Sequence, residues 1–284
     1  MVDEAELTRQ RALFDHARER PVWPDGRVER CLERLRPRQY VALRDEVPLM
    51  YLPVGTMEWH ERHLPLGTDG FTAHDLAVRA AERTGGVVYP ALYWGLDEYG
   101  TSQSGVIRSG MDTGADLPLP GSIYRIGHQT YENLLMEAVA EIFRAGFKLV
   151  ALITGHGARG QEHTIRKVAV RYNGAAGYRC VLAHNSWTFG REAIPWGDGH
   201  AGRLETALIL GLHPDLVDTT ELPGEETPLV GAAESRAHPE HGPVTLDLAQ
   251  KVVDTAVERM AAFVAEGLDG LPADARPPRS GRGL

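Results

Sequence analysis

The residues best suited to chemistry lie just after an apolar run near position 50. Glu58, His60 and Asp69 follow the segment Leu49–Val54 closely. Glu58 and His60 are two positions apart, so in an extended segment their side chains leave the same face of the backbone. Carboxylate and imidazole groups are ligands that Zn²⁺, Mn²⁺ and Fe²⁺ accept. The stretch therefore fits a divalent-metal site, and it equally fits a strand end whose polar loop hydrogen-bonds only to backbone.

A second stretch, Gly155–Gly160, surrounds His156 and fits the pattern G-x-G-x-x-G. A dinucleotide site of this kind also needs an acidic residue about twenty positions further on, at the end of the next strand. That strand instead ends in His184–Asn185. A tight glycine turn that places His156 beside a helix N-terminus is therefore favoured over a nicotinamide site.

The third stretch, Trp196–Ala207, contains His200 and Glu205. Glu205 opens a segment typical of a helix, where a first-turn carboxylate stabilises the helix dipole. Taken alone, this stretch favours that structural role over a functional one.

Apolar runs alternate with amphipathic helical segments along most of the chain. The predicted strands are Leu49–Val54, 87–93, 148–153 and 179–183, and the predicted helices are 71–83, 129–145, 161–172, 204–212 and 246–267. This alternation predicts an α/β fold with a largely parallel central sheet. Ligands bind beyond the carboxyl ends of the strands in such folds. His60, His156 and His200 each follow a predicted strand, so we expect them to share one pocket.

The pattern shows no internal repeat and no linker that would divide the main part of the chain. We expect a helical N-terminal arm over 1–46, a single domain over 47–270 and a disordered tail over 271–284. Residues 95–121 are crowded with Gly, Ser, Asp and Pro and show no period. Loops of this length inside a domain usually serve a function, so we expect a lid there.

Composition narrows the class of protein. The 284 residues are 43% hydrophobic and 24% charged, as in an ordinary globular protein, and the formal net charge is -9. Such a charge argues against nucleic-acid and anionic-membrane partners. The acidic start and the absence of a long apolar run predict a cytoplasmic protein. Cys31 and Cys180 are far apart and are expected to be small buried residues, with no disulfide.

Taken together, the three stretches resemble the creatininase (creatinine amidohydrolase) family of α/β metal-dependent amide hydrolases. The resemblance depends on the pattern from Glu58 to Asp69, on Gly155–Gly157, and on His200-Ala201-Gly202 followed by Glu205. Pro120–Ile123 is similar to a Pro-Gly-Thr-Ile stretch of that family. The resemblance implies a three-layer α/β/α fold, a homo-oligomer with a hexamer as one possible form, and two divalent ions, Zn, Mn or Fe.

Site roles follow from the same resemblance. It implies that Asp69 bridges the two ions and that His200 carries a proton, with His63 supporting the ligands and not binding metal. Glu205 is predicted to be both a ligand and a catalytic residue. The implied metal ligands are Glu58, His60, Asp69, His156 and Glu205. The residues expected to contact substrate are Trp196, Arg159, Tyr99 and Ser122.

The sequence departs from the family pattern at several positions. Glu61 stands where the family usually has glycine after the first histidine. Members that act on creatinine carry a glutamate two positions after the turn histidine, where this chain has Ala158, which argues against creatinine as the substrate. Arg159 follows at a helix N-terminus, so we expect it to bind a carboxylate of substrate or product. The alternative is a surface ion pair between Arg159 and Glu162.

These features predict a metal-dependent amidohydrolase that cleaves a C–N bond of a small linear or cyclic amide. Three carboxylates against two divalent ions leave one positive charge, which a bridging hydroxide would neutralise. That hydroxide would attack the carbonyl carbon while His200 protonates the leaving nitrogen. The alternatives are a formamide deformylase or small-peptide peptidase of the same family, a non-catalytic binding protein on a dead hydrolase fold, and a nicotinamide oxidoreductase.

Overall fold

The computed structural model describes residues 3–6, 8–9, 19–102, 104–114, 119–194, 199–222 and 242–276. Its helices and strands are, in chain order, α1 (Pro37–Glu46), β1 (Leu49–Val54), α2 (Thr68–Thr84), β2 (Val87–Val88), β3 (Tyr99–Thr101), β4 (Ile107–Ser109), α3 (His128–Arg144), β5 (Leu149–Thr154), α4 (Arg159–Ala176), β6 (Val181–Asn185), α5 (Arg203–Leu212) and α6 (Leu246–Asp269). Most of 1–18 and all of 277–284 lie outside the described residues, so the predicted arm and disordered tail stay predictions.

The central sheet is parallel, with the strand order β2-β1-β5-β6. Every residue of β1 and β5 is buried, as expected for strands covered by helices on both faces. One face of the sheet packs against α2, α5 and α6, and the other packs against α1, α3 and α4. The predicted three-layer α/β/α architecture is confirmed.

The strand predicted over 87–93 is wrong in extent, because only Val87 and Val88 pair continuously with β1. Pro90 has no amide hydrogen and interrupts the ladder. Tyr89 and Leu92 each donate one further backbone hydrogen bond to β1, to the carbonyls of Tyr51 and Pro53. The segment therefore follows β1 without forming a strand along its whole length.

Residues 95–121 contain more structure than predicted. The antiparallel hairpin β3–β4 lies within them, with Tyr99 opposite Ser109, and a 3-10 turn follows at Gly110–Gly114. The hairpin turn closes through a bond from the amide of Gly105 to the carbonyl of Ser102. The lid function of this segment stays a prediction.

The segment before β1 also packs onto the domain. Leu43 of α1 is fully buried in the core, and Cys31 forms an isolated parallel bridge with Val88 at the edge of the sheet. Among the described residues, none of the helices has the length and apolar character needed to cross a membrane.

Candidate metal centre

The carboxyl ends of the three longest strands lie level with one another. Val54, Thr154 and Asn185 are direct neighbours in the strand register. The loops that follow β1 and β5 therefore begin side by side, and the N-terminus of α2 reaches the same edge. This arrangement brings residues from distant parts of the sequence into one cluster: Glu58, His60, Asp69, His156 and Glu205.

Two glycines let the backbone approach closely enough to form this cluster. A Cβ atom on Gly55 would lie 2.4 Å from the amide nitrogen of Gly70, and one on Gly155 would lie 1.9 Å from the carbonyl oxygen of Asp69. Both contacts are with backbone, which cannot rotate away as a side chain can. The two strand ends thus hold the first turn of α2, and Asp69 with it, in a fixed position.

We expect Gly155→Ala to lower the free energy of unfolding by about 1–3 kcal/mol, because the added methyl overpacks a rigid backbone contact. Metal affinity should fall as well, because the displaced group is Asp69. Chemical denaturation with and without metal measures both effects. Gly174→Ala is the matched control: a Cβ there meets nothing within 4 Å, and alanine should stabilise the helix by up to about 1 kcal/mol. Equal stability of the two variants would contradict the proposed close contact.

The first half of the cluster joins Glu58, Asp69 and His156. The Nδ1 atom of His156 lies 3.2 Å from Oε2 of Glu58 and 3.1 Å from Oδ2 of Asp69. All three side chains are buried, and these ligand atoms lie within 4.8 Å of one another. Three converging N and O donors of this kind suit one divalent ion.

The second half joins His60, Asp69 and Glu205. The Nε2 atom of His60 lies 3.2 Å from Oδ1 of Asp69 and 3.8 Å from Oε2 of Glu205. Asp69 therefore turns one carboxylate oxygen toward each half of the cluster. A carboxylate shared in this way is the arrangement that a bridge between two ions requires.

Backbone carbonyls fix which ring nitrogen of each histidine faces the cluster. Nδ1 of His60 lies 3.1 Å from the carbonyl oxygen of Glu58, and Nε2 of His156 lies 3.1 Å from that of Leu96. Each of these nitrogens must donate a proton, since a carbonyl oxygen only accepts. The opposite nitrogens are left to bind metal, as is usual for metal-ligating histidines.

Two buried atoms of the cluster, Oε2 of Glu58 and Nε2 of His60, make no well-formed hydrogen bond to a described residue, although each lies 3.2 Å from an oppositely charged or polar group, His156 and Asp69 respectively. Buried polar atoms without partners are costly, so such atoms call for a missing ligand. Both belong to donor types that Zn²⁺, Mn²⁺ and Fe²⁺ accept. The residues present therefore fit a site for divalent metal.

The electrostatics of the cluster favour a cation between the carboxylates. Burial alone would raise the pKa of Glu58, but His156 beside it lowers that pKa to about 2. Burial alone would lower the pKa of His60, but Asp69 raises it to about 9, and the pKa of His156 is likewise raised by Glu58 and Asp69. Without metal, the two imidazoles hold protons that the carboxylates attract.

Metal binding should therefore release protons and strengthen as pH rises. The His60 pKa of about 9 lies above its ordinary value of 6.5, so the bound proton stabilises the metal-free fold below pH 6.5, and this stabilisation is lost as pH rises toward 9. Because a metal displaces that proton, metal affinity should increase over the same range. Calorimetric titration in buffers of different ionisation enthalpy should count about two protons per chain at pH 7. Binding without proton release would contradict this assignment.

His200 and Glu205 lie at the start of α5. The rings of His60 and His200 are 4.2 Å apart, and Nε2 of His200 donates a hydrogen bond to the carbonyl oxygen of Trp59. Glu205 accepts a bond of 2.6 Å from the amide of Ala201, as a first-turn carboxylate does, and it also faces His60. The structural role of Glu205 and its predicted ligand role are therefore compatible. A ring nitrogen of His200 also lies within ligand distance of Glu58 and His60.

The residues predicted to contact substrate fall in different places. Arg159 lines a cavity of about 270 Å³ beside the cluster and forms no ion pair with a described residue. The alternative partner, Glu162, pairs instead with Arg166. Tyr99 is 79% exposed on the hairpin and does not line that cavity. Ser122 does not line the cavity either, and its Oγ accepts a bond of 3.1 Å from the amide of Trp59. Trp196 lies outside the described residues.

Sequence reasoning missed several residues that support the ligands. The hydroxyl of Tyr124 donates a hydrogen bond of 3.0 Å to Oε1 of Glu58. It also contacts Asp97 at the cavity wall, and burial raises the pKa of the Asp97 carboxyl. Thr56 donates to Oδ2 of Asp69. Trp187 contributes a further cavity wall. In the sequence, only one feature pointed to any of these residues: Tyr124 directly follows Pro120–Ile123, the stretch that is similar to a family pattern. His63, predicted to be a supporting residue, bonds Thr206 at 2.9 Å.

Glu61, which stands where the family usually has glycine, adopts an unusual backbone conformation. Its φ angle is 58°, in the left-handed region that glycine adopts without steric cost. A glycine at this position, as in the family pattern, would relieve that strain. In this chain a residue with a side chain therefore occupies a left-handed backbone position.

Fold and cluster together define a three-layer α/β protein with a buried carboxylate–histidine site that could hold a divalent metal. A family model described as "Creatininase: Creatinine amidohydrolase" matches residues 33–275. The chain belongs to the creatininase family, which confirms the resemblance.

Individual relatives agree with this assignment. The chain is 27% identical to a creatinine amidohydrolase of Pseudomonas putida over 187 residues, which cover 60% of this chain and 66% of that protein. It is 30% identical to the mycofactocin precursor peptide peptidase of Mycolicibacterium smegmatis over 188 residues, which cover 63% of this chain and 64% of that protein. The matches thus span less than two thirds of either relative.

Solved structures agree in fold. A crystal structure of creatinine amidohydrolase superposes with a TM-score of 0.62 at 22% identity, over 86% of this chain and 99% of that one. Two other matched creatininase structures are described as a manganese form and as a zinc–zinc form of a glutamate-to-glutamine variant.

Proposed function

We propose that this protein is a two-metal hydrolase that cleaves the C–N bond of a small amide. The observation that carries this proposal is the carboxylate of Asp69, which turns Oδ1 toward His60 and Oδ2 toward His156. One ion would be held by Glu58, Asp69 and His156, and the other by His60, Asp69 and Glu205. Zn, Mn and Fe fit this donor set.

Divalent metal held by these residues would lower the pKa of a bound water molecule and would polarise the substrate carbonyl. The protein's own residues place these ligands and supply the proton. Hydrogen bonds from Tyr124 and Thr56 orient the carboxylates of Glu58 and Asp69. His200 lines the cavity next to the cluster, where it can hold a proton for the leaving nitrogen.

The size and walls of the cavity suggest the class of substrate. A volume of about 270 Å³ suits a small molecule or the end of a peptide, and Trp187 and Met111 provide apolar contacts. Ala158 stands in the wall where creatinine-cleaving members carry glutamate, so we propose an amide other than creatinine. A peptidase is the second candidate, supported by the likeness to a peptide peptidase.

Two measurements test this proposal. Elemental analysis of protein purified without chelator should find about two equivalents of Zn, Mn or Fe per chain. Incubation with panels of lactams, formamides and short peptides, followed by mass spectrometry, should identify the substrate class by its product. A ring-opened acid would indicate a lactam, formate would indicate a formamide, and a free amino acid would indicate a peptide. A metal-free protein that turns over none of these after metal addition would favour a non-catalytic binding protein.

Light scattering would test the proposed homo-oligomer.

Arg159 is proposed to bind a carboxylate of the substrate. It is the first residue of α4, it is exposed to the cavity, and it lacks a competing ion pair among the described residues. We expect Arg159→Ala to raise KM for a carboxylate-bearing substrate about 10-fold or more, since a charge-assisted bond is worth about 1.5–3 kcal/mol. The KM of a neutral analogue should change little. Arg171→Ala, which removes a surface arginine of the same helix that pairs with Glu132, is the control. An unchanged KM for the anionic substrate would refute this role.

A further inference from the structure

A second group of ligand side chains lies outside the cluster around Asp69. The Sγ atom of Cys31, a carboxylate oxygen of Glu33 and a ring nitrogen of His74 all lie within 4.8 Å of one another. Cys31 and Glu33 belong to the segment before α1, whereas His74 lies on α2. Two distant segments thus bring three different donor types to one point.

The imidazole of His74 is oriented as a metal ligand would be. Its Nδ1 atom lies 2.6 Å from Oδ1 of Asp75, and the other oxygen of Asp75 lies 2.5 Å from Nε2 of His213. Because Nδ1 is occupied by the carboxylate, Nε2 is the nitrogen left to bind a cation. Carboxylate-backed histidines of this kind are common in metal sites, where the carboxylate fixes the orientation of the ring.

Cys31 lies at the base of the group and is 4% exposed. Burial and the neighbouring Glu29 raise the pKa of its thiol to about 12, so the thiol is protonated in the absence of a cation. Glu29 is itself held in place, since its Oε1 accepts bonds from the amides of Arg30 and Cys31. Glu33 is exposed on a 3-10 turn and His74 is partly buried, so the group is open to solvent on one side.

We propose that Cys31, Glu33 and Nε2 of His74 bind one thiophilic divalent cation of the Zn²⁺ type. On binding, the S–H bond of Cys31 breaks, a sulfur–metal bond forms, and the proton passes to solvent. Sulfur, imidazole and carboxylate together select Zn²⁺ or Co²⁺ over Mg²⁺ and Ca²⁺. Three protein ligands leave a fourth position for water. This inference does not depend on the proposed hydrolase activity.

Such an ion would fasten the segment before α1 to the helix that carries Asp69. His74 lies on α2 five positions after Asp69, so the ion would link the edge of the domain to the metal centre through one rigid helix. A cation that binds only the folded chain raises its stability in proportion to the logarithm of free metal over Kd. The expected role is therefore structural.

Cobalt absorption distinguishes this site from the metal centre. The full-length protein is stripped with chelator and titrated with Co²⁺, while the near-ultraviolet thiolate-to-cobalt charge-transfer band is recorded. The ligands around Asp69 supply only nitrogen and oxygen, so a charge-transfer band reports a cysteine. We expect the band in the wild type, its loss in Cys31→Ala, and its retention in Cys180→Ala, the matched control, because Cys180 is the only other cysteine.

Glu33→Gln provides a second test that does not disturb the core. Glu33 is exposed, so the variant should fold normally, and we expect it to weaken Co²⁺ binding at the charge-transfer band by at least about 10-fold. The same measurement decides the question if Cys31→Ala fails to fold. The proposal is overturned if no band forms below millimolar Co²⁺, if the band survives Cys31→Ala, or if Glu33→Gln leaves the affinity unchanged.

Discussion

Replacement of Asp69 by alanine is expected to remove both metal ions and to lower kcat/KM by at least about 10³-fold. The two oxygens of this carboxylate face different halves of the cluster, at 3.2 Å from His60 and 3.1 Å from His156, so a single substitution opens both sites. Metal ions supply several kcal/mol of transition-state stabilisation, and each 1.36 kcal/mol corresponds to a tenfold change in rate.

The measurements are elemental analysis and initial rates after metal has been added back. Asp69 is fully buried, so near-ultraviolet circular dichroism should first establish that the variant keeps its fold. Asp254→Ala removes an exposed carboxylate of α6 and serves as the control, with two ions and full activity expected. Retention of two equivalents of metal in Asp69→Ala would show that this carboxylate bridges nothing.

Replacement of His200 by alanine is expected to lower kcat by about 10²–10⁴-fold while both ions stay bound, as befits a group that only transfers a proton. The Nε2 atom of His200 donates to the carbonyl of Trp59, so Nδ1 is the atom free to act. The ring lies 4.2 Å from that of His60 and lines the cavity, which places it beside the reacting groups.

Substrates with different leaving groups make this prediction specific. The effect of His200→Ala should shrink strongly for an activated anilide, whose leaving nitrogen needs less help from a proton donor. His163→Ala, which removes an exposed histidine of α4, should change nothing. If His200→Ala instead loses one ion, then His200 is a ligand with Glu58 and His60, and its proposed role as proton donor is wrong.

The sequence predicted the parts of this protein that depend on local pattern. The strands β1 and β5 are continuous apolar runs, and the helices between strands show clear apolar faces, so the layered architecture was predictable. The expectation of one shared pocket followed from a rule about parallel sheets, namely that ligands bind beyond the carboxyl ends of the strands, whereas the ligand set itself was implied by the family resemblance. That rule grouped the stretches around His60, His156 and His200, which are far apart in the sequence.

Contacts that depend on tertiary packing could not be predicted in the same way. The sequence pattern does not show that Tyr124 bonds Glu58 or that the carbonyl of Leu96 fixes the tautomer of His156. Leu96 lies in the segment over 95–121 that lacks a period, and Tyr124 follows that segment closely, so neither contact could be placed by periodicity. The failure at 87–93 has a local cause in Pro90, whose effect on the ladder was underestimated. At Glu61 the sequence showed only that a glutamate replaces the usual glycine of the family pattern, and the left-handed backbone angle of the residue came from the structure.

The level ends of β1, β5 and β6 have a consequence for how metal enters and leaves. β1 and β5 are buried along their whole length, and such strands are expected to open only when the whole domain unfolds, so Glu58, His60 and His156, which follow them, are anchored to a part of the chain expected to exchange slowly. The cavity beside His200, by contrast, is already open to solvent. Ions can therefore exchange through this opening without unfolding, and chelation followed by reconstitution should be reversible.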